Sequence, residues 1–329
     1  ISSSAVIFSP TIGGLIIERA SWQAVVWLCA AIALGVFVFC FFFREKTPRP
    51  RGTLKGFDGF GALAILVFFS LALCLPAFGQ NFGWNSKLFL GVLIAPAISG
   101  VGLYISEKKA LNPILQWTFM KRKAFILSVF ALFLTQGLMQ ANMTNIIVFI
   151  NYTQPENSVI SGYAISIMYI GMSLGAVILG PLADRYEPKK VLAGSLTLTG
   201  IGSAIMLLFT ENSSVLLFAA SLGLLGFGLG GNGTIFMKVV LSGVPLETSG
   251  AGTGTYGLFR DLAAPFGVAV FVPMFTNRAS ALINSGATEI TAAIDSVKTL
   301  ASVEIACIAI GIITVLFLPK IHNKKGEII

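Results

Sequence analysis

The stretch AFILSVFALFLTQGLMQANMTNIIVFI, residues 124–150, runs for 27 residues without a charged side chain. About 20 apolar residues in a helix cross a hydrocarbon core of ~30 Å, so this segment is long enough to span a bilayer. It is also internally polar. Gln136, Gln140 and Thr144 recur at i, i+4 and i+8 and share one helix face, while Asn142 and Asn145 occupy another. A spanning helix with polar stripes needs water, a ligand or a polar neighbour along them. Hydrogen bonds to other helices, worth ~0.6 kcal/mol each, are the alternative use of the same side chains.

The rest of the chain has the same character. Of its 329 residues 55% are hydrophobic and 11% charged, with 35 glycines and 27 phenylalanines, and the mean hydropathy is +0.86. A soluble domain carries about 25% charged residues. The composition therefore predicts an all-α integral membrane protein, because in lipid each segment must satisfy its own backbone and no alternating barrel pattern is present. Ten spans are expected, at about 1–17, 22–43, 58–78, 86–105, 124–150, 160–182, 191–210, 214–237, 251–275 and 300–319. The connection 276–299 reads as one long polar loop. The chain opens on Ile1 inside an apolar run, which reads as a first span cut at its start.

Lysine and arginine alternate by loop. Seventeen fall in 44–55, 108–123, 185–190, at 238 and in 320–325, whereas Arg19, Lys87, Arg278 and Lys298 occupy the opposite connections and Arg260 lies within a span. The positive-inside rule then places the C-terminus in the cytoplasm of a multi-pass plasma-membrane protein. The net charge of +8 follows this membrane asymmetry, so no nucleic-acid partner is expected. The cysteines (29, 40, 74, 307) are scattered singly and the one histidine, His322, lies in the polar tail. Neither a metal site nor a nucleophilic catalytic pair is expected, and the reading is of a non-enzyme.

The basic, proline-rich segment 44–57 is the clearest boundary. It divides the chain into a remnant of one bundle (1–43), a linker (44–57), a helix pair (58–105), a second linker (106–123), a six-helix bundle (124–319) and a tail (320–329).

Three motifs carry a resemblance. Gly180-Pro181-Leu182-Ala183-Asp184-Arg185-Tyr186-Glu187-Pro188-Lys189-Lys190 resembles the G-x-x-x-D-R-x-G-x-[RK]-[RK] loop of the major facilitator superfamily, with Glu187 in place of the second glycine. Gly180 is expected to let two helix ends approach, while Asp184, Arg185, Lys189 and Lys190 form a conformational latch; a plain basic loop is the alternative. Ser9-Pro10-Thr11-Ile12-Gly13-Gly14 resembles the tail of the superfamily's antiporter motif G-P-x-x-G-G, where Pro10, Gly13 and Gly14 serve helix bending and close packing. The glycine-rich run 225–231 and the segment 107–113 complete an order of features similar to that of the fourteen-helix drug:proton antiporters. About ten helices of that fourteen would lie in this chain.

What that resemblance implies is a secondary active transporter working by alternating access between two bundles, exporting small amphipathic substrates in exchange for protons. It would act as a monomer, with the proton gradient and no cofactor as its energy source. An exporter of one metabolite, antibiotic or siderophore, or a non-transporting receptor or scaffold on the same fold, are the alternatives. Gln136, Gln140, Thr144 and Asn232 are the substrate-cavity candidates. Met139, Met143, Met168, Tyr169 and Met172 offer either an adaptable lining or ordinary core. Arg260 and Asp261 form a charged pair inside a span, where a charge costs at least ~2.5 kcal/mol. As neighbours i and i+1 they are expected to point apart and find separate partners, Asp261 serving as a proton or cation group and Arg260 in a structural or conformational role; a pair near the inner interface, with Arg260 snorkelling, is the alternative. Glu304 and Asp58 are the other acids at or near membrane depth.

Overall fold

The computed structural model describes residues 12–13, 16–17, 19–42, 58–83, 86–109, 114–115, 117–153, 158–211, 213–242, 244 and 249–319. All regular structure among them is helical: α1 (Trp22–Phe42), α2 (Gly59–Phe82), α3 (Lys87–Lys109), α4 (Trp117–Met120), α5 (Lys123–Thr153), α6 (Ser158–Arg185), α7 (Pro188–Met206), α8 (Val215–Gly230), α9 (Asn232–Leu241), α10 (Ser249–Asn284) and α11 (Glu289–Leu316). Among the described residues eight helical stretches are long and apolar enough to cross a membrane. The expected span at 191–210 is α7, which opens on Pro188-Lys189-Lys190 and carries four hydroxyls, so it is less apolar than its neighbours. The expected first span falls mostly outside the described residues, Pro10 and Gly14 with it.

One expectation is overturned. Residues 276–299 are not a loop: α10 continues to Asn284, α11 begins at Glu289, and only a short turn separates them. Small and apolar side chains explain why. Ala279, Ala292, Ala293, Ile294 and Val297 are buried, so both helices keep a packing face beyond the apolar part of their sequence. Thr288 caps α11, its hydroxyl accepting from the Thr291 N–H, and Gly286 takes φ +98 in the turn.

Helices α5 to α11 pack into one bundle, in which α8 lies between α6 and α7, α10 lies along α5, and α11 contacts α5, α7 and α10. Glycine makes these approaches close. A Cβ on Gly171 or Gly175 of α6 would run into the α8 backbone at Gly223 and Phe227, and one on Gly226 or Gly230 of α8 into the α6 carbonyls of Met168 and Met172. Each helix thus presents a G-x-x-x-G pair to the other. On its opposite side, Gly228 meets Ser195 and Thr199 of α7, while Gly202 of α7 meets Ser221 and Leu225. Gly13, expected to serve close packing, would carry a Cβ into open space, as would Gly233, and Gly231 meets only side chains. The 214–237 span is interrupted at Gly231, so it comprises α8 and α9.

Helices α2 and α3 pack on each other, and α2 also touches α10, where the Phe69 ring meets Phe259 edge-on at 6.1 Å between centroids. Asp58 caps α2 by accepting from the Gly61 N–H at 2.7 Å. Glu107, buried near the end of α3, accepts from the Leu115 N–H at 2.9 Å and so anchors the segment leading into α4. Helix α1 buries none of its apolar length.

Glu187 begins α7, with Pro188 at the first helical position. Its carboxylate pairs with Lys189 at 3.0 Å and Lys190 at 3.5 Å. Burial works against the charged form, but the two lysines outweigh it and hold this carboxyl below the usual carboxylate range.

Gly230→Ala, forced against the Met172 carbonyl, lowers the thermal midpoint of the detergent-solubilised protein by the equivalent of about 1–3 kcal/mol. Gly194→Ala, made into open space on α7, leaves the midpoint unchanged or raises it. A depressed carboxyl contributes stability above its unfolded value of ~4.3, and that contribution is lost as pH falls through the lower folded value. Glu187→Gln therefore costs about 0.2–1 kcal/mol at neutral pH and flattens the loss of stability on acidification, read by melting at stepped pH.

Candidate functional site

Helix α5 crosses α10 at two facing glycines. A Cβ on Gly137 would lie 3.2 Å from the Ala263 carbonyl oxygen, and one on Gly267 would run into the Gly137 backbone. Gln136 and Gln140 flank this crossing on α5 and are half-buried, as is Thr144. The Thr144 hydroxyl donates to the Gln140 carbonyl at 3.2 Å, within its own helix. The carboxamides of the two glutamines are thus the polar groups this face offers to a neighbour or ligand.

On α10, one turn and a half from the crossing, Arg260 Nε donates to Asp261 Oδ1 at 2.9 Å. The expectation that adjacent residues point apart is corrected here: the long guanidinium stem bends back to the carboxylate, and the side chains remain 45% and 70% exposed. Tyr256, one turn earlier, is buried and donates its hydroxyl to the Gly233 carbonyl at 2.7 Å, tying α10 to α9.

Asn232 sits elsewhere. It is buried, and its Oδ1 accepts from the Ser195 hydroxyl at 2.7 Å, so it joins α9 to α7 within the bundle. Met143 and Met168 are buried core, with Met139, Tyr169 and Met172 packed against them.

The segment 180–190 forms a contact the sequence did not signal. Lys238 Nζ of α9 donates to Asp184 Oδ1 and to the Ala183 carbonyl, both at 2.7 Å, which closes the end of α6 against α9. Gly180 does not host the expected close approach, since a Cβ there would meet nothing within 4 Å. Arg185 ends α6, and Lys189 and Lys190 turn to Glu187. The residue replacing the family's glycine thus supplies an anion to the loop's own cations. Lys238 was legible only as a loop charge; its pairing depends on α9 lying beside α6.

At the other end of the bundle, a pocket of 390 Å³ opens between α5, α6, the α7–α8 turn and the start of α11, lined mostly by apolar side chains with Tyr163, Glu211 and Ser213 among them. Among the described residues no group of three or more His, Cys, Asp or Glu side chains is arranged to hold a metal.

The Major Facilitator Superfamily profile matches residues 1–268 and, in a second overlapping match, 132–325. "Multidrug resistance protein 3" of Bacillus subtilis is 22% identical over 273 residues, 82% of this chain and 53% of its own length. "Multidrug transporter protein MdtP" of the same organism is 25% identical over 282 residues, 85% of this chain and 51% of its own length. "Quinolone resistance protein NorB" of Staphylococcus aureus is 27% identical over 269 residues, 78% of this chain and 56% of its own length. The chain spans about half the length of the curated relatives it matches. Its helices, its apolar composition and these matches place it plainly: the chain is a multi-pass membrane protein that belongs to the Major Facilitator Superfamily.

Proposed function

We propose that this chain belongs to a proton-coupled multidrug exporter of the fourteen-helix antiporter group, in which α5 to α11 form the second of two bundles and α2–α3 an inserted pair. The observation that carries this reading is the Arg260–Asp261 pair, exposed on a helix long enough to cross a membrane. Such a pair in contact with lipid would be costly, so its exposed face belongs to a wet cavity or to a facing bundle. Gln136 and Gln140 lie on the helix that crosses α10 beside it, and they supply neutral donors and acceptors suited to amphipathic substrates of varied shape. Asp261 is the group available to exchange a proton for a cationic drug, with Arg260 holding it between turnovers.

The relatives named for multidrug or quinolone resistance support the substrate class. The Lys/Arg-rich ends of the helices, including the Asp184–Lys238 contact, are assigned to the cytoplasm with the C-terminus. There the contact would hold one of the two conformations of alternating access. The protein acts as a monomer, driven by the proton gradient.

Expression of the full-length protein in a transporter-deficient host is expected to lower accumulation of a cationic dye, and a protonophore is expected to restore it. Asp261→Asn then abolishes uphill export while leaving the protein in the membrane. Dye accumulation that expression does not change points to an exporter of one specific compound or to a scaffold and refutes the multidrug reading. Export that survives the protonophore, or uphill export by Asp261→Asn, refutes proton coupling through this residue.

A further inference from the structure

The walls of the 390 Å³ pocket are all helix ends. Phe149 lies near the end of α5, Tyr163 in the second turn of α6, Phe209 and Glu211 between α7 and α8, Phe218 in the first turn of α8 and Ile290 in the first turn of α11. Tyr163 and Ile290 are 52% and 42% exposed. Apolar surface gathered into a concavity at the ends of helices, beside the hydroxyls of Thr210 and Ser213, is surface suited to a ligand. Its volume falls in the range of about 300–1,000 Å³ that holds small organic molecules.

Glu211 brings a charge to this apolar site. Its Oε1 accepts from the Thr291 hydroxyl at 2.6 Å, and Thr291 shares a second hydrogen bond, at 2.8 Å, with the hydroxyl of Thr288, the cap of α11. The carboxylate is thereby held against the first turn of α11. Neighbouring hydroxyls are committed to the turn itself: Ser213 Oγ accepts from the Thr210 N–H at 2.7 Å, and Ser214 Oγ from the Leu217 N–H at 3.2 Å. Among the described residues no cation pairs with Glu211, and no lysine or arginine lines the pocket. The rings of Phe149, Phe209 and Phe218 pack on one another with centroids 5.6 to 6.5 Å apart, and an aromatic face attracts positive charge.

We propose that this pocket binds a lipophilic organic cation from the outer side, its apolar body against the phenylalanine cluster and its charge beside Glu211. The lining selects that class. An anion is repelled by the carboxylate, a neutral apolar molecule leaves it without a partner, and a small hydrated cation gains nothing from the rings. The site is separate from the transport path proposed above. Helix α10, which carries Arg260 and Asp261, supplies no wall among the described residues, and Gln140 lies nine residues before Phe149 on α5, about 13 Å along the helix. A ligand held here touches α5, α6, α8 and α11 at once and braces that end of the bundle. Only the outward placement rests on the orientation in the proposed function; binding itself requires no transport.

Equilibrium binding of tetraphenylphosphonium to the purified full-length protein in maltoside detergent tests the site. Asp261→Asn is the background, so that the acid of the proposed transport path does not hold the probe. In that background Glu211→Gln is expected to weaken binding about tenfold and Phe218→Ala by a similar factor. Neutral triphenylphosphine oxide should bind weakly and equally with either residue at 211. Glu211 is exposed, so Glu211→Gln keeps the thermal midpoint of the probe-free protein, which separates lost binding from lost folding. Tetraphenylphosphonium affinity unmoved by Glu211→Gln overturns the site, as does equal affinity for the neutral oxide. Displacement of the probe by phosphatidylethanolamine assigns the pocket to a lipid headgroup and overturns the free cation as its ligand. Glu211-dependent binding in a protein that exports no dye sinks the antiporter reading and leaves the site standing; dye export without such binding sinks the site alone.

Discussion

Backbone-to-backbone contact through glycine is the constraint on which the bundle depends. In hydrocarbon, apolar side chains gain little by leaving lipid for one another, so helices associate through close fit and shared polar contacts. Gly171, Gly175, Gly226 and Gly230 bring α6 and α8 to that distance, Gly202 and Gly228 do the same for α7 and α8, and Gly137 and Gly267 for α5 and α10. Once these crossings are set, the positions of the polar groups follow. Asn232 falls opposite Ser195, Tyr256 opposite the Gly233 carbonyl, and Glu304 opposite Ser203. Interlocked helices of this kind favour motion of the bundle as a body over sliding within it.

Against that rigid frame the polar residues differ in depth. Ser195, Asn232 and Tyr256 make direct bonds between helices and are buried, which is the behaviour of structural ties. Glu304 and Asn145 are as deeply buried and keep unpartnered atoms, as Asn232 does at Nδ2, while Glu304 also ties α11 to Ser203 of α7; Arg260 and Asp261 are exposed and pair with each other. The Asp184–Lys238 pair, at 72% and 36% exposure, adds little to stability.

Much of the fold was legible in the sequence because spans in lipid announce themselves by length and apolarity. The segment 124–150 gave α5 to within a few residues at each end, and the charge alternation located the loops. The stretch 276–299 was misread because its alanines and threonines lack the hydropathy of a span while still packing as a helix. Gly171 and Gly175 went unremarked, since a G-x-x-x-G pair signals close contact only when a partner helix is known. Glu304 could be named as an acid at membrane depth, but its distinction from Asp261 lies in burial, and burial depends on which neighbours α11 meets. The i, i+1 pairing of Arg260 with Asp261 was missed for a different reason: helix geometry places adjacent Cβ atoms apart, and a guanidinium on a long stem can still fold back.

If α5 to α11 are the second bundle of an alternating-access exporter, as proposed, they move as one body against the remainder of the full-length protein. Pulsed electron–electron resonance on the full-length protein, with Cys29, Cys40, Cys74 and Cys307 replaced and spin labels at exposed positions, tests it most directly. Labels at Tyr186 and Phe317, both within the bundle, should keep one narrow distance distribution between acidic and neutral pH, whereas labels at Phe42 and Phe317 should shift between two. Distances within the bundle that change as much as those across it would contradict the account.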